Sequence, residues 1–223
     1  MNETYGELAL NVNSKNLKRH IYFFVKRLFD IIFGLIGSIL VIPVGIIIKI
    51  AYMIDGDFSP IFYKQVRVGK DGKIFNMYKF RTMVPNADKI LIELLKDPEY
   101  SKEWEDNQKL THDPRITNIG HLLRKCSLDE IPQFFSILIG NMTLIGPRPL
   151  IQGEIQKHHG NAELYQSVRP GISGWWAING RSATTYKDRL ELEYYYVKNC
   201  SILLDLKIIF KTFKIIWTHE GAK

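Results

Sequence analysis

Residues 31–48, IIFGLIGSILVIPVGIII, carry no charged side chain and constrain the chain more than any other stretch. A helix needs about twenty apolar residues to cross the hydrocarbon core of a bilayer, so this run lies at the short limit of a spanning segment. Pro43 interrupts it. In a helix the proline ring frees the carbonyl of Ile39 and bends the axis, and the arm 31–42 covers only about 18 Å at roughly 1.5 Å per residue. A hydrocarbon core of about 30 Å is beyond that arm. Both flanks are basic, with Lys15, Lys18, Arg19, Lys26 and Arg27 before the run and Lys49, Lys64, Arg67, Lys70 and Lys73 after it. A crossing helix would place one set against the positive-inside tendency, whereas a helix that dips in, breaks at Pro43 and returns to the same face satisfies it on both sides. A kinked spanning helix and a buried core helix are the alternatives. A signal peptide is disfavoured, because the run comes late and no small-residue cleavage site follows it.

The remaining chain is long enough for one domain with its own core, and 46% hydrophobic residues with 12% aromatics among 223 exclude disorder as the main state. A net charge of +7 suits nucleic acid, an anionic membrane surface or a phosphorylated substrate, and does not choose among them. The two cysteines, Cys126 and Cys200, lack metal-ligand spacing and read as reduced thiols, in keeping with a cytoplasmic face.

Chemistry concentrates in residues 122–150, LLRKCSLDEIPQFFSILIGNMTLIGPRPL. Asp129 and Glu130 are adjacent carboxylates, and the Ser127-x-x-Glu130 spacing is that of a capping box, which puts Asp129 in a first helical turn where the helix dipole favours negative charge. Pro132 blurs the register, so the helix begins at Ser127 or nearer Glu130. Arg124 and Lys125 lie just upstream. Arg148 stands between Pro147 and Pro149, on a backbone with little entropy left to lose, and its planar fork suits phosphate oxygens. The competing interpretation is a capped surface helix followed by a structural turn.

Elsewhere the signals are weaker. Asp55, Gly56 and Asp57 form a D-x-D, which is a metal-binding triplet in metal-dependent glycosyltransferases and an ordinary exposed turn in most proteins. Residues 61–63 and 74–80 read as strands of a hairpin around 68–72, with Lys79 and Arg81 on one face. Residues 85–110 read as one or two exposed amphipathic helices broken at Pro98. Arg115 either joins the cationic site or pairs with a neighbour. His158 and His159 read as surface residues. Trp175 and Trp176, followed by Asn179, Gly180 and Arg181, either seat a nucleotide or are core aromatics beside a turn. Residues 201–217 read as a basic amphipathic helix suited to a membrane surface or to the core.

LDEIPQ at 128–133, GPRPL at 146–150 and RPGISGW at 169–175 closely resemble the bacterial sugar transferase family, the monotopic polyprenyl-phosphate phosphoglycosyl transferases. The likeness runs in order from about Lys26 to Trp217. It implies an α+β fold, with a mainly helical catalytic domain over 53–223, a small β-hairpin or sheet and amphipathic membrane-surface helices. A polar segment over 1–20 precedes a re-entrant membrane helix over 21–52, broken at Pro43. Family members carry a Ser-Pro pair at the break where this chain has Ile42-Pro43, which leaves Ser38 as the nearest hydroxyl.

The resemblance also implies a reaction. Asp129 attacks the sugar-linked phosphorus of a UDP-sugar, most commonly a hexose, UMP leaves, and undecaprenyl phosphate takes the phosphosugar. Mg²⁺ is the implied cofactor, at Asp129 and Glu130. Arg124, Arg148, Lys79 and Arg115 are the phosphate candidates. Arg169, Pro170, Gly171, Gly174, Trp175, Asn179 and Arg181 are the nucleotide-sugar candidates. The implied setting is the cytoplasmic face of a bacterial inner membrane, in surface-polysaccharide synthesis, with membrane lipid as partner, no nucleic acid, and a homodimer as a compatible assembly. The alternatives are a glycosyltransferase that releases UDP through the D-x-D and a non-catalytic membrane-associated binding protein.

Overall fold

The computed structural model describes residues 2–107, 110–180 and 184–218. The chain opens with α1 (Asn2–Ile54), whose interior contains Pro43. The chain stays helical across Pro43 to Ile54, so the proline leaves no gap in the helix. A proline removes a single backbone donor, and packing holds both sides. Val41 and Val44 lie against the cluster of Ile48, Tyr52, Phe80 and Leu123. Ser38 does not compensate for the lost bond, because its buried Oγ has no partner among the described residues.

One face of α1 lies along the rest of the fold. Tyr22, Asp30, Ile48 and Tyr52 are buried, and Gly34 and Gly37 allow α5 (Gln133–Leu138) to approach closely. A Cβ at Gly37 would sit 2.2 Å from the Phe134 ring, and one at Gly34 2.9 Å from the Leu138 nitrogen. Arg27 reaches across to donate to the carbonyls of Ile137 and Leu138 at 2.7 and 2.8 Å, at the end of α5 where Ile137 O also accepts the Gly140 N–H. The opposite face is apolar and uncovered, as Phe24, Ile39, Ile42, Ile47 and Ile54 are each more than half exposed. The stretch Leu17–Ile54 is long and apolar enough to cross a membrane by length and composition.

β1 (Phe62–Val68) and β2 (Ile74–Phe80) form the expected antiparallel hairpin, closed by a 3₁₀ turn over Lys70–Gly72. Its register sets Tyr63 opposite Lys79 and Arg67 opposite Phe75. Because side chains alternate, Lys79, Phe75 and Arg67 share one face, the face that meets Ile137 and Met142. α2 (Ala87–Leu94) and α3 (Pro98–Asn107) are the two exposed helices, with Pro98 as a first helical residue rather than a gap. α4 (Asn118–Lys125) precedes the dyad. β3 (Thr143–Ile145) pairs in parallel with β4 (Gly171–Ser173), flanking the short helices α6 (Glu154–Lys157) and α7 (Ala162–Gln166). α8 (Tyr186–Asn199) and α9 (Ile202–Thr218) are the last two elements among the described residues. Mixed helix and small sheets with one long apolar N-terminal helix agree with the fold class expected from the sequence.

α9 is joined to the start of α1. Tyr22 and Lys26 both donate to Asp205, at 2.9 and 2.5 Å, and Tyr196 donates to its other oxygen at 2.7 Å. Outward from this network α9 exposes Leu203, Phe210, Phe213 and Trp217, each more than two-thirds uncovered.

Candidate active site

Asp129 and Glu130 sit in a 3₁₀ turn, Leu128–Glu130, between α4 and α5. The capping box expected at Ser127 is absent. Ser127 is in the left-handed region (φ 54°) with no side-chain cap, and α5 starts only after Pro132. Two adjacent constraints explain this: α4 ends at Lys125, and Pro132 lacks the N–H and the freedom to extend a helix back through the dyad. The dyad is thus held by a tight turn rather than by a helix dipole.

That turn rests on the core. Leu128 and Ile131 pack on Ile48, Tyr52, Phe80 and Leu123, so the far end of α1 forms the floor of the site. Tyr52 ties three elements together, donating to the Arg81 carbonyl at 2.7 Å and bonding Thr117 Oγ at 3.1 Å, while Thr117 caps α4 through the Gly120 N–H. From β2, Lys79 donates to Glu130 Oε1 at 2.8 Å and lies 4.0 Å from Asp129. Arg124 donates to Thr82 Oγ1 at 3.0 Å.

The Asp129 side chain is 14% exposed and that of Glu130 37%, so the first is held in a protein environment and still reachable. Burial raises the Asp129 pKa above the ordinary carboxylate value and the Glu130 charge adds to this, while Lys79 and Arg124 pull it down. The result is a desolvated carboxylate whose charge is supported by two cations.

Arg115 and Arg81 do not face the dyad. Arg115 gives Nε and Nη2 to the two oxygens of Asp113, at 2.8 and 2.7 Å, which is the neighbour-pairing alternative. Arg81 pairs with Asp57 at 2.8 Å, and the other Asp57 oxygen accepts the Ser59 N–H, so the D-x-D forms a closed turn with that carboxylate engaged.

Arg148 belongs to a second cluster. Its N–H donates to Glu193 at 3.0 Å, its carbonyl accepts from Tyr165 at 2.9 Å, and its guanidinium lies 5.7 Å from the Trp176 ring, with Arg189 4.8 Å from that ring. Arg67 donates to Pro149 O at 3.2 Å, and burial followed by the charge of Arg148 pushes its pKa down to about 10. Four residues along the hairpin separate Arg67 from Lys79, about 13 Å at roughly 3.3 Å per residue, so the two cationic clusters lie along one hairpin face.

The GPRP and RPGISG segments meet at the β3–β4 pair. A Cβ on Gly171 would fall 2.1 Å from the Gly146 nitrogen and one on Gly174 2.2 Å from the Gly146 carbonyl oxygen, so only glycine permits this contact. Pro170 O accepts the Thr143 N–H at 2.9 Å. Trp175 packs with the core around Tyr196 and Ile208, and Asn179 bonds the Trp175 carbonyl at 2.8 Å. Trp176, rather than Trp175, is the aromatic ring beside Arg148. Arg169 turns away to a cavity against α1. Arg181 lies outside the described residues.

Sequence reasoning missed Arg67, Arg189 and Glu193. Arg189 and Glu193 stand four apart on α8, a spacing common on any helix, so burial was their only distinguishing property. Burial pushes the Glu193 carboxyl up to about 7, against the opposing effects of the Arg148 N–H and Arg189. The folded chain therefore retains a proton that the unfolded chain releases near 4.5, and stability falls as pH rises from about 4.5 to about 7. Glu193→Gln is expected to remove this slope, worth about 3 kcal/mol, when urea midpoints at pH 5 and pH 8 are compared. An unchanged slope would assign it to other groups.

A family model described as bacterial sugar transferase matches residues 21–219. The chain belongs to this family. Among its relatives, the undecaprenyl-phosphate galactose phosphotransferase of Salmonella typhimurium is 41% identical over 97% of the chain and 45% of its own length. A UDP-N-acetylgalactosamine-undecaprenyl-phosphate N-acetylgalactosaminephosphotransferase of Aeromonas hydrophila is 35% identical over 91% of the chain and 46% of its own. The exopolysaccharide production protein ExoY of Sinorhizobium fredii is 38% identical over 88% of the chain and 87% of its own length. The chain spans a little under half the length of the first two and most of the third.

Proposed function

We propose that the chain transfers a sugar-1-phosphate from a UDP-sugar to a polyprenyl phosphate, as the first membrane step of surface-polysaccharide or glycoconjugate synthesis. The observation that carries this reading is Asp129 itself, a largely desolvated carboxylate beside Lys79, with Arg124 among the charges that stabilise its ionised form. The names of the relatives point to the same donor and acceptor classes.

An Asp129 oxygen attacks the sugar-bearing phosphorus, the bond from that phosphorus to the bridging oxygen breaks, and UMP leaves with the electron pair. The acyl phosphate on Asp129 keeps the transfer potential for a second displacement. An oxygen of the polyprenyl phosphate then attacks the same phosphorus, frees the carboxylate and forms a polyprenyl diphosphate sugar. Lys79 and Arg124 offset the charge of two anions brought together, and Glu130 positions the Lys79 ammonium at 2.8 Å.

The dyad suits Mg²⁺, which proteins commonly hold through one or two carboxylates with substrate phosphates completing the shell. No third acidic, His or Cys side chain joins the pair among the described residues. When bound, the ion supplies charge neutralisation at the transferring phosphoryl group. In the second cluster, about 13 Å along the hairpin, Arg148 supplies a cation and Trp176 a ring for the nucleotide end, while the buried Arg189 is held by Glu154 at 3.2 Å.

The seat of this chemistry is the cytoplasmic face of the inner membrane. Both ends of the apolar stretch of α1 are bonded to one body, through Asp205 at Tyr22 and through Thr117 at Tyr52. A transverse span would have to carry that body's charges into lipid, whereas insertion of the uncovered faces of α1 and α9 into one leaflet leaves them in water.

Purified protein incubated with UDP-galactose, UDP-glucose or UDP-N-acetylgalactosamine and undecaprenyl phosphate should release UMP with Mg²⁺ present. UDP in its place would move the reaction to transfer of the sugar alone, and release of neither nucleotide would favour a binding protein.

A further inference from the structure

A cavity of about 320 Å³ opens between the first turns of the apolar stretch of α1 and the loop ahead of β4. Arg19, Lys26, Lys70 and Arg169 line it together with His20 and Asp30. Its volume is in the lower range of sites that hold small molecules. Two carboxylates beside the cavity, Asp205 and Asp30, are already compensated, and a third, the exposed Asp71, lies 3.9 Å from Lys70. Asp205 takes Lys26, and Asp30 Oδ1 accepts from Thr143 Oγ1 and the Leu144 N–H at 2.9 Å each.

The other three cations keep donors to offer. Among the described residues Arg169 engages only its Nε–H, with the Gly140 carbonyl at 2.8 Å. Arg19 rests over the Phe23 ring at 5.7 Å, and Lys70 has only a loose contact of 3.9 Å with Asp71. A partly enclosed space with three such charges attracts an anion with several acceptor oxygens.

The cavity is not part of the dyad. Lys70 lies at the turn of the hairpin and Lys79 near its open end, five strand residues beyond the Val68–Ile74 pair, or about 17 Å at roughly 3.4 Å per residue. α1 gives the same answer. Asp30 lines the cavity and Ile48 underlies the dyad, about 27 Å apart at 1.5 Å per residue of helix.

We propose that this cavity is a second anion site that receives a phosphate group, with a phospholipid headgroup as its source. Position favours the lipid. Leu17, Ile21 and Phe24, interleaved with Arg19, His20 and Phe23, are 62%, 52% and 74% exposed, so the cations of the cavity border the apolar surface of α1. A lipid whose chains lie on that surface brings its phosphate to the cavity.

Native mass spectrometry of the full chain in detergent tests this without any turnover, so its outcome is independent of the reaction proposed above. Dioleoyl-phosphatidylglycerol should be retained in preference to dioleoylglycerol, which has the same chains and no phosphate. Arg19→Gln combined with Lys70→Gln, both exposed positions, should weaken that retention about twentyfold. The control pair Lys157→Gln with Lys187→Gln, exposed and outside the cavity, should leave it unchanged. Inorganic phosphate that binds with the same dependence on Arg19 and Lys70, and displaces the lipid, would support the anion site and overturn the lipid as its source. Retention that ignores Arg19 and Lys70, or that falls equally in the control pair, would overturn the site.

Discussion

Asp129→Asn is expected to leave a folded chain whose turnover is lowered by about 10⁴-fold or more, the scale on which loss of an attacking nucleophile acts. The substitution is nearly isosteric and removes a charge that burial already disfavours, so the thermal midpoint should hold or rise. The amide cannot form the acyl phosphate, so rapid quenching of enzyme mixed with donor alone should trap a phosphosugar adduct on the parent chain and none on the variant. Glu130→Gln removes a carboxylate that is more exposed and bonded to Lys79, and should retain the adduct at a reduced rate. Parent-like turnover of Asp129→Asn would end the assignment of the nucleophile.

The second large effect belongs to Lys79. Lys79→Met should lower turnover by about 10²- to 10³-fold, the usual consequence of removing a preorganised charge next to a transferring group. It should also change the pH profile. Asp129 must be ionised to attack, its pKa is already raised by burial, and Lys79 is the strongest influence pulling it down. Without the ammonium the pKa rises further, so the acidic limb of kcat/KM should move to higher pH, and Lys79→Arg should return most of the way. A limb that stays in place would show that Lys79 acts on bound substrate alone.

The residues differ in how far their placement could be read in advance. The hairpin was legible because Ile61–Tyr63 and 74–80 alternate around a glycine-rich turn, and that local pattern needs no distant partner. Lys79 was legible only as a strand residue near the site. Its contact with Glu130 spans fifty-one positions and depends on how α4 and the 3₁₀ turn dock on the core. The capping box failed because spacing alone does not report φ, and Ser127 takes a left-handed conformation between the end of α4 and Pro132. Arg148 was identified as preorganised, but its partners Glu193, Arg189 and Trp176 come from elements that its own sequence context does not mention. Arg115 shows the reverse case, since a partner two residues away was available all along.

The sequence by itself determined the apolar helix, the adjacent acids, the stiff arginine loop and the family, because each is written in neighbouring residues through period, charge or backbone restriction. Only the tertiary structure decided that α1 remains helical through Pro43, that Arg148 stands apart from the dyad and that Glu193 lies in the interior. Those outcomes depend on burial and long-range packing, which sum over contacts between segments far apart in the chain and therefore leave no local pattern to read.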